Sequence, residues 1–365
     1  MDPSLEQART LFLEGVAHYE AGRYAQAERQ FAGALALAPG RPSVLTNLGA
    51  VRLKLGRPAE ALPVLEEALH REPGNAETLA HCATALAELG RTREALPVFD
   101  RALAADPRPP ALWMYRGTVL RELGRTEEAA ASYRESLARG GDAELLAYYL
   151  AALEGGAPPQ RPPRQYVQAL FDGYAEAFDA HLVRTLRYDA PQVLVEPLAA
   201  AGRRFRQALD LGCGTGLCGA LLRPLADRLT GVDLSGAMLQ RARALGAYDV
   251  LQQGDVLEFL AGANEPFDVV VAADVFIYVG ALDEVFARLA ARMPSGGLFA
   301  FTVEESTDGE LVLRESLRYA HSEAGLRRLA QQHGFRIAAI ERRPVREDQR
   351  RPIPGLFVWM EAGWR

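Results

Sequence analysis

The sequence predicts two domains in one chain: an all-α array of helical repeats, then an α/β domain built on a parallel sheet. Three observations carry this. A strict 34-residue period runs through four units that begin at Ala8, Pro42, Ala76 and Pro110. Beyond residue 206, apolar strand-like runs alternate with helical segments, and the first run opens into the glycine-rich turn Asp210-Leu-Gly-Cys-Gly-Thr-Gly216. Between the two regions lies Gly155-Gly-Ala-Pro-Pro-Gln-Arg-Pro-Pro163, with four prolines in its last six residues. This composition favours an extended, semi-rigid spacer. The expected division is therefore 1–153, a linker over 154–163, and 164–365.

Within the first region corresponding positions align without gaps. The inter-helix glycine falls at Gly22, Gly56, Gly90 and Gly124, and the small residue of the second helix at Ala27, Ala61, Ala95 and Ala129. A bulky residue follows four later (Phe31, Leu65, Phe99, Tyr133), and Pro39, Pro73 and Pro107 close the first three units. Small residues let paired helices approach, and bulky ones fill the space between repeats. The first-helix glycine (Gly15, Gly49, Gly117) is Ala83 in the third unit, and Ser136 stands where the others have alanine. Pro63 and Pro97 sit in first turns, where a missing N–H is tolerated. These offsets resemble tetratricopeptide repeats, with Asp142 to Leu153 as a capping helix. The resemblance implies a concave groove that takes a protein or peptide, with Arg9, Phe12, Val16, Tyr19, Thr46, Ala50 and Leu53 as groove positions. Repeats that clamp carboxylates use a lysine and an asparagine where Phe12 and Val16 stand, so that clamp is not expected.

In the second region the run Gln207 to Leu211 reads as a buried strand and Leu217 to Leu225 as the helix after the turn. A second apolar strand, Leu229 to Val232, ends at Asp233, about 20 residues beyond the first glycine, where an acid grips ribose hydroxyls in a βαβ unit. Gly214-Thr-Gly-Leu-Cys-Gly219 also satisfies the dinucleotide fingerprint, a weak signal alone. Asp210 separates the alternatives. A carboxylate at this strand end suits a cationic ligand and repels a pyrophosphate. Downstream, Asp255-Val256 follows a short strand, and Phe267 to Asp274 is a nearly continuous apolar strand ending in an acid.

Residues 164–365 resemble a class I S-adenosylmethionine-dependent methyltransferase of bacteria, here with N-terminal repeats. Asp210, Gly212, Gly214 and Gly216 match the family's first motif, Asp233-Leu234 its ribose-binding acid and neighbour, and Asp255-Val256 its adenine-contacting pair. The resemblance implies a Rossmann-like sheet of seven strands, the last antiparallel, with S-adenosyl-L-methionine as cofactor and Asp274 at the rim of its site. The C-terminal order fits: strand Leu298 to Val303, helix Ser322 to His333, strand Phe335 to Glu341, strand Leu356 to Met360. The segment from Arg164 to Asp189 is amphipathic. In many relatives a similar segment lids the cofactor, which makes Tyr174 a cofactor-binding and catalytic candidate, alongside Tyr278 and His181.

The acceptor is less legible than the cofactor. Methyl transfer needs a positioned nucleophile and exclusion of water, and no particular base is obligatory. Asp274-Val-Phe-Ile lacks the prolines of amino-methylating DNA enzymes, and no Pro-Cys nucleophile is present, so nucleic acid is not the expected substrate. Glu304 and Glu305 stand at the pocket rim, where carboxylates hold an amine or are simply solvated. His321-Ser-Glu323 reads as a helix start capped by Ser322. The expectation is methylation of an oxygen or nitrogen on a small molecule or a recruited protein. Its alternative is a repeat scaffold whose second domain binds the cofactor without turnover.

Composition agrees with a soluble protein. Each half carries a net charge of −3 (17 basic against 20 acidic residues in 1–153, 24 against 27 in the rest), so no basic face for phosphate backbones is expected. No apolar run reaches the ~20 residues of a membrane span, and no signal pattern opens the chain. Cys82, Cys213 and Cys218 form no framework, which points to a reducing, cytoplasmic setting. The histidines are scattered, and no metal is expected.

Overall fold

The computed structural model describes residues 3–174, 188–262, 265–348 and 351–363. By its internal contacts the chain divides into two compact units, between Leu153 and Glu154.

The first unit is helical throughout: α1 (Pro3–Glu20), α2 (Tyr24–Leu37), α3 (Pro42–Lys54), α4 (Pro58–Arg71), α5 (Ala76–Glu88), α6 (Thr92–Ala105), α7 (Pro110–Glu122), α8 (Thr126–Ala138) and α9 (Ala143–Glu154). The repeat register has a direct steric cause. A Cβ at Gly15 would lie 2.6 Å from the Phe31 ring, one at Gly49 2.4 Å from Leu65, and one at Gly117 2.6 Å from Tyr133. The bulky residue of each second helix thus occupies the space a first-helix side chain would need. The third unit fits Ala83 into the same place, fully buried beside the buried Phe99. Two groove positions are corrected here. Thr46 and Ala50 are buried, and the Thr46 hydroxyl shares a 2.7 Å hydrogen bond with Thr78 of the next first helix. Thr46 thus joins the seam between neighbouring first helices, and neither residue lies exposed in an open groove. Phe12, Val16 and Tyr19 pack against the core around Phe31, with the Phe12 and Phe31 rings 5.8 Å apart.

The second unit begins with the proline-rich stretch, which is attached to it. Ala281 N–H donates to the Gln160 carbonyl (2.9 Å), the Tyr319 hydroxyl to the Pro159 carbonyl (2.9 Å), and Arg161 pairs with Glu284. Residues 159–161 therefore run along the domain surface as a docked strap.

Helices α10 (Arg164–Tyr174) and α11 (Ala190–Ala200) precede β1 (Phe205–Leu211). Then come α12 (Leu217–Leu222), which ends in a 3-10 turn at Arg223–Leu225, β2 (Ala226–Asp233), α13 (Gly236–Ala244), β3 (Val250–Gln253), α14 (Val256–Gly262) and β4 (Val269–Ala272). After α15 (Asp283–Arg292) follow β5 (Leu298–Glu305), β6 (Leu311–Leu313), β7 (Tyr319–His321), α16 (Glu323–His333), β8 (Phe335–Asp348) and β9 (Arg351–Ala362). Strands β3, β2, β1, β4 and β5 are parallel neighbours in that order, and β9 runs antiparallel between β5 and β8. This is the Rossmann-like arrangement expected, with one correction. Among the described residues the sheet has nine strands, because the short pair β6 and β7 is added at the end of β5 to the expected seven, β3, β2, β1, β4, β5, β9 and β8. Three-residue strands in a polar stretch leave no period to read. The core lies on both faces: Phe276, Phe286, Phe299, Phe301 and Phe335 interlock on one, while Leu194, Leu198, Leu222 and Phe357 fill the other. Burial on both faces explains the unbroken apolar run Val269 to Ala272.

No described helix is long and apolar enough to cross a membrane. The three cysteines are buried and unbridged, and no cluster of metal-ligating residues occurs among the described residues.

Candidate functional site at the ends of the parallel strands

Strand order reverses between β1 and β4, so the carboxyl ends of β2, β1, β4 and β5 border the crevice where open α/β sheets bind ligands. Strand β1 delivers Asp210 there, then turns through Gly212, Gly214 and Gly216, all with positive φ. At Gly212 a Cβ would also strike Val275, 2.5 Å away, so a side chain is doubly excluded.

Asp233, at the end of β2, faces this turn. Its Oδ2 accepts from Gly214 N–H (2.8 Å) and its Oδ1 from Ser235 N–H (2.9 Å). The carboxylate therefore holds the glycine loop and retains lone pairs for hydroxyl groups. Burial raises its pKa against those two backbone donors. Leu234 follows, its carbonyl bonded by the Gln253 amide (3.2 Å). Asp210 is almost completely buried, and burial pushes its pKa up to about 7 despite a 2.6 Å hydrogen bond from the Tyr248 hydroxyl. Two carboxyl groups thus flank a glycine turn in low dielectric, a setting that favours a cation and opposes a pyrophosphate.

Asp255 caps α14, which begins at Val256. Its Oδ1 accepts from Leu257 and Glu258 N–H groups at 2.8 and 3.2 Å, leaving Oδ2 for a ligand donor. Asp274, just past β4, is one of two non-glycine residues with positive φ among the described residues (60°). Its backbone N–H is held by the Thr302 hydroxyl at 2.8 Å. Oδ2 pairs with Arg346 at 2.8 Å, while Oδ1 is buried with no hydrogen-bond partner among the described residues. A residue with positive φ and a buried unmet acceptor is a mark of a functional position.

Arg346 was not foreseen. It is buried between Asp274 and Glu304, and Arg314 reaches Glu304 from the other side at 3.0 Å. Burial works against its charge, and the two carboxylates hold its pKa above the ordinary value. Glu304 is consequently buried rather than solvated, and arginines engage both acids, half-buried Glu305 through Arg342. The sequence around Arg346 is a charged run that reads as an exposed loop. A register shift between Pro344 and Arg346 makes it otherwise, burying both Val345 and Arg346.

Helix α10 crosses the mouth of the site. Asp172 accepts a 2.5 Å hydrogen bond from the Ser235 hydroxyl beyond β2, and the Phe171 ring stands edge-on to Tyr278, 5.0 Å away beyond β4. Because β1 lies between β2 and β4, these two contacts carry the helix over the glycine turn. Tyr278 also accepts from Arg318 Nε at 3.2 Å. Tyr174 ends α10, but its side chain and all of His181 lie outside the described residues. Ser322 caps α16 by accepting from Gly325 N–H (3.0 Å). His321 is buried against the Gly280 carbonyl (2.7 Å), and burial depresses its pKa to about 4.

Sequence comparison agrees with this geometry. A family profile described as a methyltransferase domain matches residues 209–299, and two tetratricopeptide repeat profiles match 12–76 and 52–118. A malonyl-[acyl-carrier protein] O-methyltransferase of Enterobacter lignolyticus is 32% identical over 143 residues, covering 39% of this chain and 55% of that relative. A trans-aconitate 2-methyltransferase of Paracidovorax citrulli is 33% identical over 30% of this chain and 42% of its own. A ubiquinone biosynthesis O-methyltransferase of Brucella ovis is 32% identical over 30% and 45%. The chain spans about half the length of the curated relatives it matches. Among solved structures, magnesium protoporphyrin IX methyltransferase from Synechocystis PCC 6803 superposes with a TM-score of 0.43 at 17% identity, covering 55% of this chain and 99% of that one. Residues 209–299 thus carry the likeness to methyltransferase domains, and residues 12–118 the likeness to tetratricopeptide repeats.

Proposed function

We propose that the protein is an S-adenosylmethionine-dependent methyltransferase acting on an oxygen or nitrogen of a small molecule or of a protein brought by the repeats. The observation that carries this is the pair of carboxyl groups on either side of the glycine turn, buried Asp210 and half-buried Asp233. The residues suit the cofactor. Asp210 would meet its ammonium group, Asp233 and the neighbouring Leu234 its ribose, and Asp255 with Val256 its adenine. Gly212, Gly214 and Gly216 give the backbone room to approach, and Asp274, with Tyr174 at the end of the lid helix, would border its methionine end. When bound, the cofactor would supply a methyl group on a sulfonium, which an acceptor lone pair would take in line while the C–S bond breaks and S-adenosylhomocysteine leaves.

The chain's own part is to place the acceptor and keep water out. Helix α10 does the second by crossing the mouth, and Phe171 holds Tyr278 at the acceptor side. Asp274 Oδ1 is buried there with no hydrogen-bond partner among the described residues, and it would take the hydrogen of a hydroxyl or amine that reached it. Arg346 pairs with the other oxygen of that carboxylate. Among the relatives reported above, two are named as O-methyltransferases, which supports oxygen as the atom modified. The repeat unit supports a protein or peptide partner, and three unbridged cysteines support a reducing, cytoplasmic setting.

The second reading, a scaffold that binds cofactor without turnover, is favoured only by Tyr278 and Glu304 both being engaged by arginines. Turnover separates the two. The full-length protein, incubated with methyl-labelled S-adenosylmethionine and fractionated cell extract, is expected to release S-adenosylhomocysteine in step with labelled product. Tight cofactor binding with no release across all fractions would favour the scaffold.

A further inference from the structure

We propose that Tyr248, which lies between α13 and β3, is a positioning residue for the cationic head group of the cofactor: it is seated in a glycine slot and fixes the Asp210 carboxyl with its hydroxyl. The inference rests on the cofactor reading above and deepens it.

Two glycines inside elements and one in the glycine turn make room for this one ring. A Cβ at Gly219, inside α12, would lie 2.3 Å from the Tyr248 ring and hydroxyl. One at Gly231, inside β2, would lie 2.8 Å from it, and one at Gly216 3.2 Å. Neither Gly219 nor Gly231 has a positive φ, so backbone conformation does not require glycine at either. Glycine weakens helix and strand interiors, so its use at both places needs a separate cause. At Gly219 the seated ring is that cause, and at Gly231 the ring shares it with Leu251, also 2.8 Å from the added atom. From the slot the hydroxyl donates to Asp210 Oδ2 at 2.6 Å, which commits one carboxyl oxygen and leaves Oδ1 for a ligand.

The chemistry follows from the surroundings. The titratable groups facing Asp210 are Asp233 at the end of β2, Cys213 in the glycine turn, Cys218 on α12 and Tyr188 before α11, with Asp274 and Arg346 beyond Tyr188. Burial and the Asp233 charge both disfavour an ionised Asp210, and the Tyr248 hydroxyl is the group that opposes them. A hydrogen bond given to the charged form favours that form. An ammonium head group binds a carboxylate and gains little from a carboxylic acid, so Tyr248 sets the pH range over which the site holds its ligand.

The test is the pH dependence of S-adenosylhomocysteine binding by the full-length wild-type protein and its Y248F variant, which keeps the ring and removes only the hydroxyl. Wild-type affinity should fall below a break near neutral pH. In Y248F the break should move up by about one pH unit, so that binding is about tenfold weaker at pH 6 and within about threefold of wild type at pH 8.5. A folded Y248F protein with the wild-type profile overturns the proposal, as does a uniform loss at every pH. A Y248F protein that fails to fold, judged by circular dichroism, also overturns it, because the hydroxyl would then be structural. If the wild type binds no S-adenosylhomocysteine at any pH, the cofactor reading fails and this inference falls with it.

Discussion

Asp210 sits where a charge is least welcome, and stability and binding therefore make opposite demands on it. Its pKa in the folded protein, about 7, is above its ordinary value of 3.8. An acid with a raised folded pKa holds its proton more tightly when folded, so its contribution falls as pH rises between about 4 and about 7 and stays unfavourable above that. Asp210→Asn should therefore raise the stability of the ligand-free domain at pH 8, by on the order of 2–3 kcal/mol, and give almost nothing at pH 4.5. The same variant should bind S-adenosylhomocysteine more weakly, and thermal melts at the two pH values with and without ligand read both effects. Arg346 poses the converse case. Arg346→Met leaves Asp274 and Glu304 buried without their shared partner and should destabilise the protein by about 3–5 kcal/mol, measured by urea unfolding. Asp210 and Asp233 were legible because a carboxylate beside a glycine turn has a chemical meaning that survives without coordinates. Arg346 was not, because a single-residue register shift turned it inward and nothing in a run of charges announces a bulge.

The two kinds of element differ in what they reveal of themselves. A repeat shows its packing in sequence, since the same contact is written four times. Gly49→Ala places a methyl 2.4 Å from Leu65 and should cost the repeat unit about 1–3 kcal/mol through overpacking. The reverse change, Ala83→Gly, should also destabilise, by about 1 kcal/mol through backbone entropy. Far-ultraviolet circular dichroism during urea unfolding follows both. If Gly49→Ala proves neutral, Leu65 has room that the packing does not show. The strands of the sheet were legible where they are buried on both faces and apolar throughout, as at Val269 to Ala272. The pair β6 and β7 was not, because three residues carry no pattern. The groove was misjudged for a related reason. Position within a repeat says which helix a residue is on, but Thr46 and Thr78 meet across a seam that depends on the rotation of neighbouring first helices.

At the scale of the molecule, the division between Leu153 and Glu154 assigns the cofactor crevice wholly to the second unit. Ligand binding stabilises only what it touches. The full-length chain should therefore show two unfolding transitions, and S-adenosylhomocysteine at about 100 times its dissociation constant should raise one of them by about 2.7 kcal/mol, or roughly 5–10 °C, leaving the other in place. A single transition that shifts as a whole would mean that the units unfold together. The proline-rich stretch shows what composition alone conveys. It announced an extended conformation, yet its hydrogen bonds to Ala281 and Tyr319 make it part of the second unit's surface. Four prolines describe the backbone of a segment and say nothing of what that backbone lies against. The central claim is that buried Asp210 and half-buried Asp233 select a cationic adenosyl ligand over a pyrophosphate. Calorimetric titration of the full-length protein with S-adenosylhomocysteine and, separately, with NAD tests it most directly. Micromolar binding of the first with no heat from the second is the predicted result; binding of NAD, or of neither, would contradict the account.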